Sequence, residues 1–262
     1  MHTIVCIKQV PDTNEVKIDR ETNTLIRKGV PSIINPFDEN AIEAALQLKD
    51  THGGKVTVIS MGPPQVEEAL RNAISLGVDD VILLSDRLFA GADTWATSYT
   101  LSQAIRKIKD FDLIICGKQA TDGDTAQVGP GIAEFLGIPL ITYVKKICDI
   151  KDKKSIIVER EIEDGYEVIE TSLPSLVTVT REINETRMPS LKGKMRAKKA
   201  EITTWGVSDL NLDTTKIGLK GSPTRVVKIF NPPVRSDRQI LSGDVSDIAK
   251  VLVAGLKTRN VI

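Results

Sequence analysis

The stretch FDLIICGKQATDGDTAQVGPGIAEFLG, residues 111–137, holds a whole structural unit in one line. FDLIIC is an apolar run of strand length, and IAEFLG has helical character. Between them the chain spends glycines, hydroxyls and carboxylates on a single strand-to-helix connection. Repeated along a chain, such a unit builds a parallel sheet covered by helices on both faces.

The repeat is present on both sides of that stretch. TIVCIKQV (3–10), KVTVIS (55–60), DVILLS (80–85) and PSLVTVT (174–180) are further short apolar runs, separated by segments of helical period. In NPFDENAIEAALQLKD (35–50), Asn35 can cap a helix, Pro36 suits its first position and Asp38 favours its positive end. Ala41, Ile42, Ala45, Leu46 and Leu48 form its apolar face. QVEEALRNAISLG stops at Gly77, and DTWATSYTLSQAIRKIKD begins near Asp93 or Thr94. After Pro139 the pattern turns to period-two hairpins, LITYVKKICDI, SIIVEREIE and YEVIETSL, joined at DKK and DG. From Arg181 onward the reading is irregular, with extended segments at SPTR and NPPV (231–234) and a weak helix in DVSDIAKVLVAGLK. The expectation is a doubly wound, mostly parallel α/β domain over residues 1–185, followed by an arm, 186–262, too poor in apolar residues to form its own core.

Ligands of open parallel sheets sit outside the carboxyl ends of the strands, where strand order reverses. The loop of residues 117–128 leaves such an end. Gly117 allows a sharp turn, Gly123 allows close backbone approach, and Asp124 or Thr125 can cap the next helix with Gln127 completing an Asp-x-x-Gln pattern. Free amides at the helix start, with the Thr121 and Thr125 hydroxyls, suit a phosphate, and Asp122 or Asp124 can accept hydrogen bonds from a ribose. The same composition also serves an ordinary βα connection, and the loop matches neither GxGxxG nor GxxxxGK[ST]. Cys6 and Ile7, Ser60, Met61 and Gly62, and Gly91 to Thr94 end neighbouring strands and would converge on one edge.

Composition narrows the alternatives. The 35 basic residues balance 35 acidic ones across 262 positions, so no global field favours nucleic acid or an anionic membrane. Cys6, Cys116 and Cys148 form no CxxC pair, and no window approaches the apolar length of a membrane span, which predicts a cytoplasmic protein without membrane insertion. His2 and His52 offer poor material for histidine-based catalysis. Glu161, Glu163 and Asp164 read as a solvated hairpin face, Lys192 to Lys199 as a solvated or partner-facing segment, and Ser98, Ser102 and Cys116 as structural. An adenine-nucleotide hydrolase or adenylating enzyme would want a Ser/Gly-rich loop or a His-x-x-His motif where this chain has KQVPDTNEV.

Six segments together carry a resemblance. IVCIKQVPD (4–12), NPFDENAIEAALQLKD (35–50), SMGPP (60–64), GKQATDGDTAQVG (117–129), VEREIEDGYEVIETSLPSLVTVT (158–180) and INETRMPSLKGKMRAKKA (183–200) are similar to the electron transfer flavoprotein β subunits, over essentially the full chain. Arg160, Glu163, Asp164, Gly165, Glu167, Pro174 and Thr178 stand in that family's signature spacing.

The resemblance implies an adenine-nucleotide α-hydrolase-like fold, an α subunit embraced by the arm, and a second FAD held mainly on that α subunit. It implies a nucleotide against Cys6, Asn35, Pro36, Phe37, Asp38, Met61, Gly62, Thr94 and the run Gly117, Lys118, Gln119, Ala120, Thr121, Asp122, Gly123, Asp124, Thr125, Ala126, Gln127 and Val128. The small residues Gly123, Thr125 and Ala126 resemble the electron-bifurcating members, in which FAD occupies the β site, NADH is the donor, and electrons divide between ferredoxin and a partner dehydrogenase of anaerobic metabolism. The alternative within the family is a simple carrier with structural AMP in that site, passing electrons between a dehydrogenase and a quinone reductase. Leu191 matches a leucine that anchors the subunit in a hydrophobic pocket of the dehydrogenase, and Glu161 an acidic residue that contacts the moving flavin domain in some states. No side chain is expected to be catalytic, because the flavin carries the redox chemistry and the protein binds and tunes it.

Overall fold

The computed structural model describes residues 1–12, 18–19, 24–25, 31–227 and 238–262; the NPPV segment expected to be extended lies outside them. In chain order the elements are strands β1 (His2–Ile7), β2 (Gln9–Pro11), β3 (Ile18–Asp19), β4 (Thr24–Leu25) and β5 (Ser32–Ile34), helix α1 (Pro36–His52), β6 (Lys55–Met61), α2 (Glu67–Leu76), β7 (Asp80–Leu84), α3 (Thr94–Ile108), β8 (Leu113–Gly117) and α4 (Val128–Leu136). There follow β9 (Leu140–Lys151), β10 (Ser155–Ile162), β11 (Gly165–Ser172), β12 (Ser175–Val179), α5 (Leu191–Lys199), β13 (Thr203–Trp205), a single turn α6 (Gly218–Gly221) and α7 (Val245–Thr258).

One sheet organises the chain, in the order β11-β10-β9-β12-β8-β1-β6-β7-β13. β1 pairs in parallel with β6 on one side and β8 on the other, and β12 is parallel to both β8 and β9. The chain winds outward from β1 through β6 and β7, then crosses back to begin β8 on the opposite side of β1. Strand order therefore reverses between β1 and β8, which opens a crevice at their carboxyl ends. Alternate residues of β1 feed two cores: Val5 and Ile7 pack with α1 and α2, and Ile4 and Cys6 with α3 and α4.

The hairpins extend this same sheet. β9 runs parallel to β12 from Leu140 to Val144, then pairs antiparallel with β10 up to Lys151. The expected first run, 3–10, is divided: the chain leaves the main sheet at Lys8, and β2 pairs antiparallel with β5.

The region expected to be irregular is more ordered than its sequence suggests. α5 lies against α2, β13 adds a parallel strand beyond β7, and Leu210 and Ile217 are buried in the second core. The described part of the arm from 186 to 221 thus packs on this chain's own α/β body. α7 leaves a row of apolar side chains without cover, among them Val245, Val251 and Leu252, and Met188, Leu191 and Met195 are also exposed.

Candidate functional site

The crevice is framed by side chains that bind backbone. Asp38, in the first turn of α1, accepts the Lys8 amide at 2.7 Å through one carboxylate oxygen and the Gly117 amide at 3.2 Å through the other. It thereby joins the end of β1 to the end of β8. Asn35 does the same one step outward: its Nδ2 donates to the Gln119 carbonyl at 2.8 Å and its Oδ1 accepts the Thr121 amide at 3.1 Å, while its own amide donates to the Lys8 carbonyl at 2.8 Å.

These bonds revise the expected role of Asn35 as a side-chain cap. α1 begins without one, because the Asn35 amide group is spent across the crevice and the backbone carbonyl of Asn35 receives the first helical amides. Tertiary geometry has outbid a local preference. Both residues are almost wholly buried, so they lie beneath the crevice floor with their polar atoms already satisfied. Burial pushes the Asp38 carboxyl up to about 7, against hydrogen bonds from the Lys8 amide, the Asn35 side chain and the Gly117 amide that pull it down.

Gly117 is demanded by this frame. A Cβ there would sit 2.2 Å from Asp38 Oδ1 and 2.7 Å from the Phe37 Cβ. Phe37 in turn lies under the Arg181 guanidinium at 4.9 Å, and Pro36 holds the first helical position as expected. Cys6 and Cys116 are register partners on β1 and β8; hydrogen bonding to Cys6 and burial push the Cys116 thiol well above its ordinary value, the state of a structural thiol.

Beyond Gly117 the loop is exposed and shaped by its backbone. Asp124 and Ala126 are left-handed, with φ of 52° and 54°, and the Asp124 amide donates to the Ala120 carbonyl. The capping pattern expected of Asp124 or Thr125 with Gln127 is absent: α4 starts at Val128 with no side-chain cap, and Asp124 instead accepts from the Gln119 side chain. The two left-handed turns carry those side chains away from the helix axis. The helix start therefore retains first-turn amides for another acceptor, one fewer than usual because Pro130 has none.

Gly123 contrasts with Gly117. Its φ is not left-handed and a Cβ there meets nothing within 4 Å, so the fold makes no demand for glycine at this point. The loop is also pinned from below by Lys8, whose Nζ lies 2.6 Å from Asp122 Oδ1, an ion pair the residue pattern did not announce.

α3 forms the adjoining wall. Asp93 caps it through the Ala96 amide at 3.0 Å, and so fixes Thr94 at its first position, where the sequence placed the helix start. Ser98 Oγ, one turn on, donates to the Thr94 carbonyl at 2.7 Å and to the Val128 carbonyl at 3.1 Å, which ties the starts of α3 and α4 together. Burial pushes the Asp93 carboxyl up, but hydrogen bonds from Ala96 and Thr224 outweigh it and hold the group below its ordinary value. Met61 and Gly62 complete the row at the end of β6, where the Gly62 amide donates to the Leu84 carbonyl.

The fold thus brings the ends of β1, β6 and β8, the start of α1 and the starts of α3 and α4 to one edge. Leu191 and Glu161 are not there: Leu191 opens α5 on the α2 side, 78% exposed, and Glu161 lies on β10 in the hairpin extension. Among the described residues no cluster of three or more metal-ligating side chains occurs, and no helix is long and apolar enough to cross a membrane.

Known proteins share this arrangement at the level of sequence. A model of the electron transfer flavoprotein domain matches residues 22–210. The electron transfer flavoprotein β subunit of Thermoanaerobacterium thermosaccharolyticum is 53% identical over 263 aligned residues that span 100% of both chains. Subunit CarD of the caffeyl-CoA reductase–Etf complex of Acetobacterium woodii is 52% identical, again across 100% of both. Protein FixA of Azotobacter vinelandii is 51% identical over 99% of this chain and 96% of its own. With identity at this level from end to end, and a family model matching most of its length, the chain belongs to the electron transfer flavoproteins, as a β subunit.

Proposed function

We propose that this β subunit pairs with an electron transfer flavoprotein α subunit, holds FAD in the crevice between β1 and β8, and serves NADH-dependent bifurcation to ferredoxin and, through the α-subunit flavin, to a flavin-dependent dehydrogenase. The observation that carries the reading is Gly123: it projects no side chain into open space on a loop whose frame makes no use of its smallness. Thr125 and Ala126 beside it are also small, and this run of small side chains suits a group wider than an adenine nucleotide at the mouth of the crevice.

When bound, the flavin supplies hydride acceptance from NADH and release of single electrons. The contribution of this chain is to bind and orient. First-turn amides of α4 and the hydroxyls of Thr94, Thr121 and Thr125 suit the pyrophosphate and ribose, and Asp122 is kept from repelling phosphate by Lys8. Asn35 and Asp38 act from beneath, by fixing the width of the crevice. The apolar residues of α7 and the end of the arm pack on the α subunit, Leu191 enters the dehydrogenase, and Glu161 faces the mobile flavin domain. The name of the Acetobacterium relative, which belongs to a caffeyl-CoA reductase complex, supports an acyl-CoA-type dehydrogenase as partner.

The test is the cofactor content of the purified αβ complex, followed by anaerobic NADH titration with ferredoxin present and absent. Two FAD per complex, with ferredoxin reduced only when the dehydrogenase acceptor is also present, is the expected result. One FAD and one tightly bound AMP, with neither flavin bleached by NADH, would assign the protein to the simple carriers.

A further inference from the structure

Residues 184–190 belong to no helix or strand, yet they are fastened to α1 by side chains on both partners. Asn40 Nδ2 donates to the Arg181 carbonyl at 3.2 Å and to the Asn184 carbonyl and Oδ1 at 3.0 Å each, and Asn184 Nδ2 returns a bond to the Asn40 carbonyl at 3.0 Å. Arg187 then grips Glu43 in a two-pronged pair, Nε to Oε2 at 2.7 Å and Nη2 to Oε1 at 3.1 Å, and its Nη2 also reaches Asp50 Oδ2 at 2.8 Å. The Arg187 amide donates to the same Glu43 oxygen at 3.2 Å, so backbone and side chain are held by one carboxylate that is only 6% exposed.

Immediately downstream the chain is held a second time. Ser190 caps α5 through the Gly193 amide at 3.0 Å, and α5 is seated on α2 so closely that a Cβ at Gly193 would lie 2.1 Å from the Ser75 carbonyl. Arg71 Nη1 closes the far end by donating to the Ala197 and Ala200 carbonyls at 2.7 and 3.0 Å. Between the two fastenings stand Met188 and Leu191, 87% and 78% exposed, with Met195 on the next turn. Large apolar side chains held this far out on a fixed backbone are a preformed docking surface, because the ordering entropy is lost on folding instead of on binding.

We propose that Arg187, through Glu43 and Asp50, is the positioning residue that presents Leu191 to the dehydrogenase, an inference that rests on the partner surface proposed above. A lysine at 187 would keep the charge but lose the two-pronged grip, since its ammonium is a single point of contact. The backbone of 188–191 would then sample conformations in which Leu191 is misplaced, and apparent affinity falls with the fraction that stays competent.

Hydrogen exchange and partner binding on the αβ complex test this together, with butyryl-CoA dehydrogenase as the probe. Arg187→Lys is expected to speed exchange at the residue-187 amide, which Glu43 holds, and at the Gly193 amide, which Ser190 holds, and to raise Kd about tenfold, one step of tenfold being about 1.4 kcal/mol. The β-site nucleotide content should not change. If Arg187 acts through Leu191, adding Arg187→Lys to Leu191→Ala should raise Kd no further. Unchanged exchange in Arg187→Lys, or additive losses in the double variant, would overturn the role assigned to Arg187. Full binding by Leu191→Ala would instead overturn the surface itself, with exchange at the residue-187 and Gly193 amides still judging the clamp.

Discussion

The crevice and the 184–195 segment are both built from α1, but by different chemistry. The first turn of α1 reaches the crevice with Asn35 and Asp38, which bind backbone groups and are buried. Its middle and last turns reach the 184–195 segment with Asn40, Glu43 and Asp50, and there the decisive contacts are ionic, with Glu43 buried, Arg187 partly exposed and Asp50 at the surface. In the function proposed above, the first arrangement frames the site of a small ligand, where a displacement of a few tenths of an ångström matters. The second holds up a surface, where a partner can adjust to what it meets. One helix therefore sets the geometry of both the crevice and the 184–195 segment.

That contrast can be broken most severely at Gly117. Gly117→Val should cost about 3 kcal/mol or more, because the new side chain has to displace both Phe37 and the Asp38 carboxylate. Urea unfolding of the complex reads this, and a loss below 1 kcal/mol would show that the frame yields easily.

Asp38→Asn is next, at about 1–3 kcal/mol, since an amide cannot accept from both the Lys8 and Gly117 N–H groups. It also carries a pH signature. The folded value of Asp38, about 7, lies above the ordinary 3.8, so its contribution is fully present below about pH 4 and is lost as pH rises through 7. Stability of the wild type should fall over that window relative to Asp38→Asn; parallel curves for the two proteins would remove Asp38 as the cause.

Lys8→Met should have a smaller effect, about 0.2–1 kcal/mol, because half-exposed ion pairs gain little against water. Its larger consequence is expected in weaker β-site nucleotide binding as Asp122 is left uncompensated. Gly123→Ala should leave stability within about 0.5 kcal/mol, since its Cβ meets nothing. Gly123→Glu should release the β-site nucleotide while sparing the α flavin, and retention of both would separate this position from the ligand.

Much of this was legible in the residues, where local pattern and tertiary demand agree. The apolar runs became strands, Pro36 opened α1, α3 began at Thr94, and the DKK turn made its hairpin. Caps failed where a polar side chain had a better use: Asn35 is consumed by the crevice, and Asp124 sits in a left-handed turn that aims it elsewhere. The arm was opaque for another reason. LKGKMRAKK has almost no apolar stripe, and α5 docks through the smallness of Gly193 and the backbone contacts that this allows. β13 is three residues long and pairs with a strand some 120 positions earlier, a relation that periodicity does not encode.

That short strand has a consequence for the integrity of the sheet. Without β13, β7 would be an outer strand with a free row of amides and carbonyls along a hydrophobic run, which is a template for pairing with other chains. Chains cut or stalled before Thr203 should therefore self-associate, however well the first two hundred residues have folded.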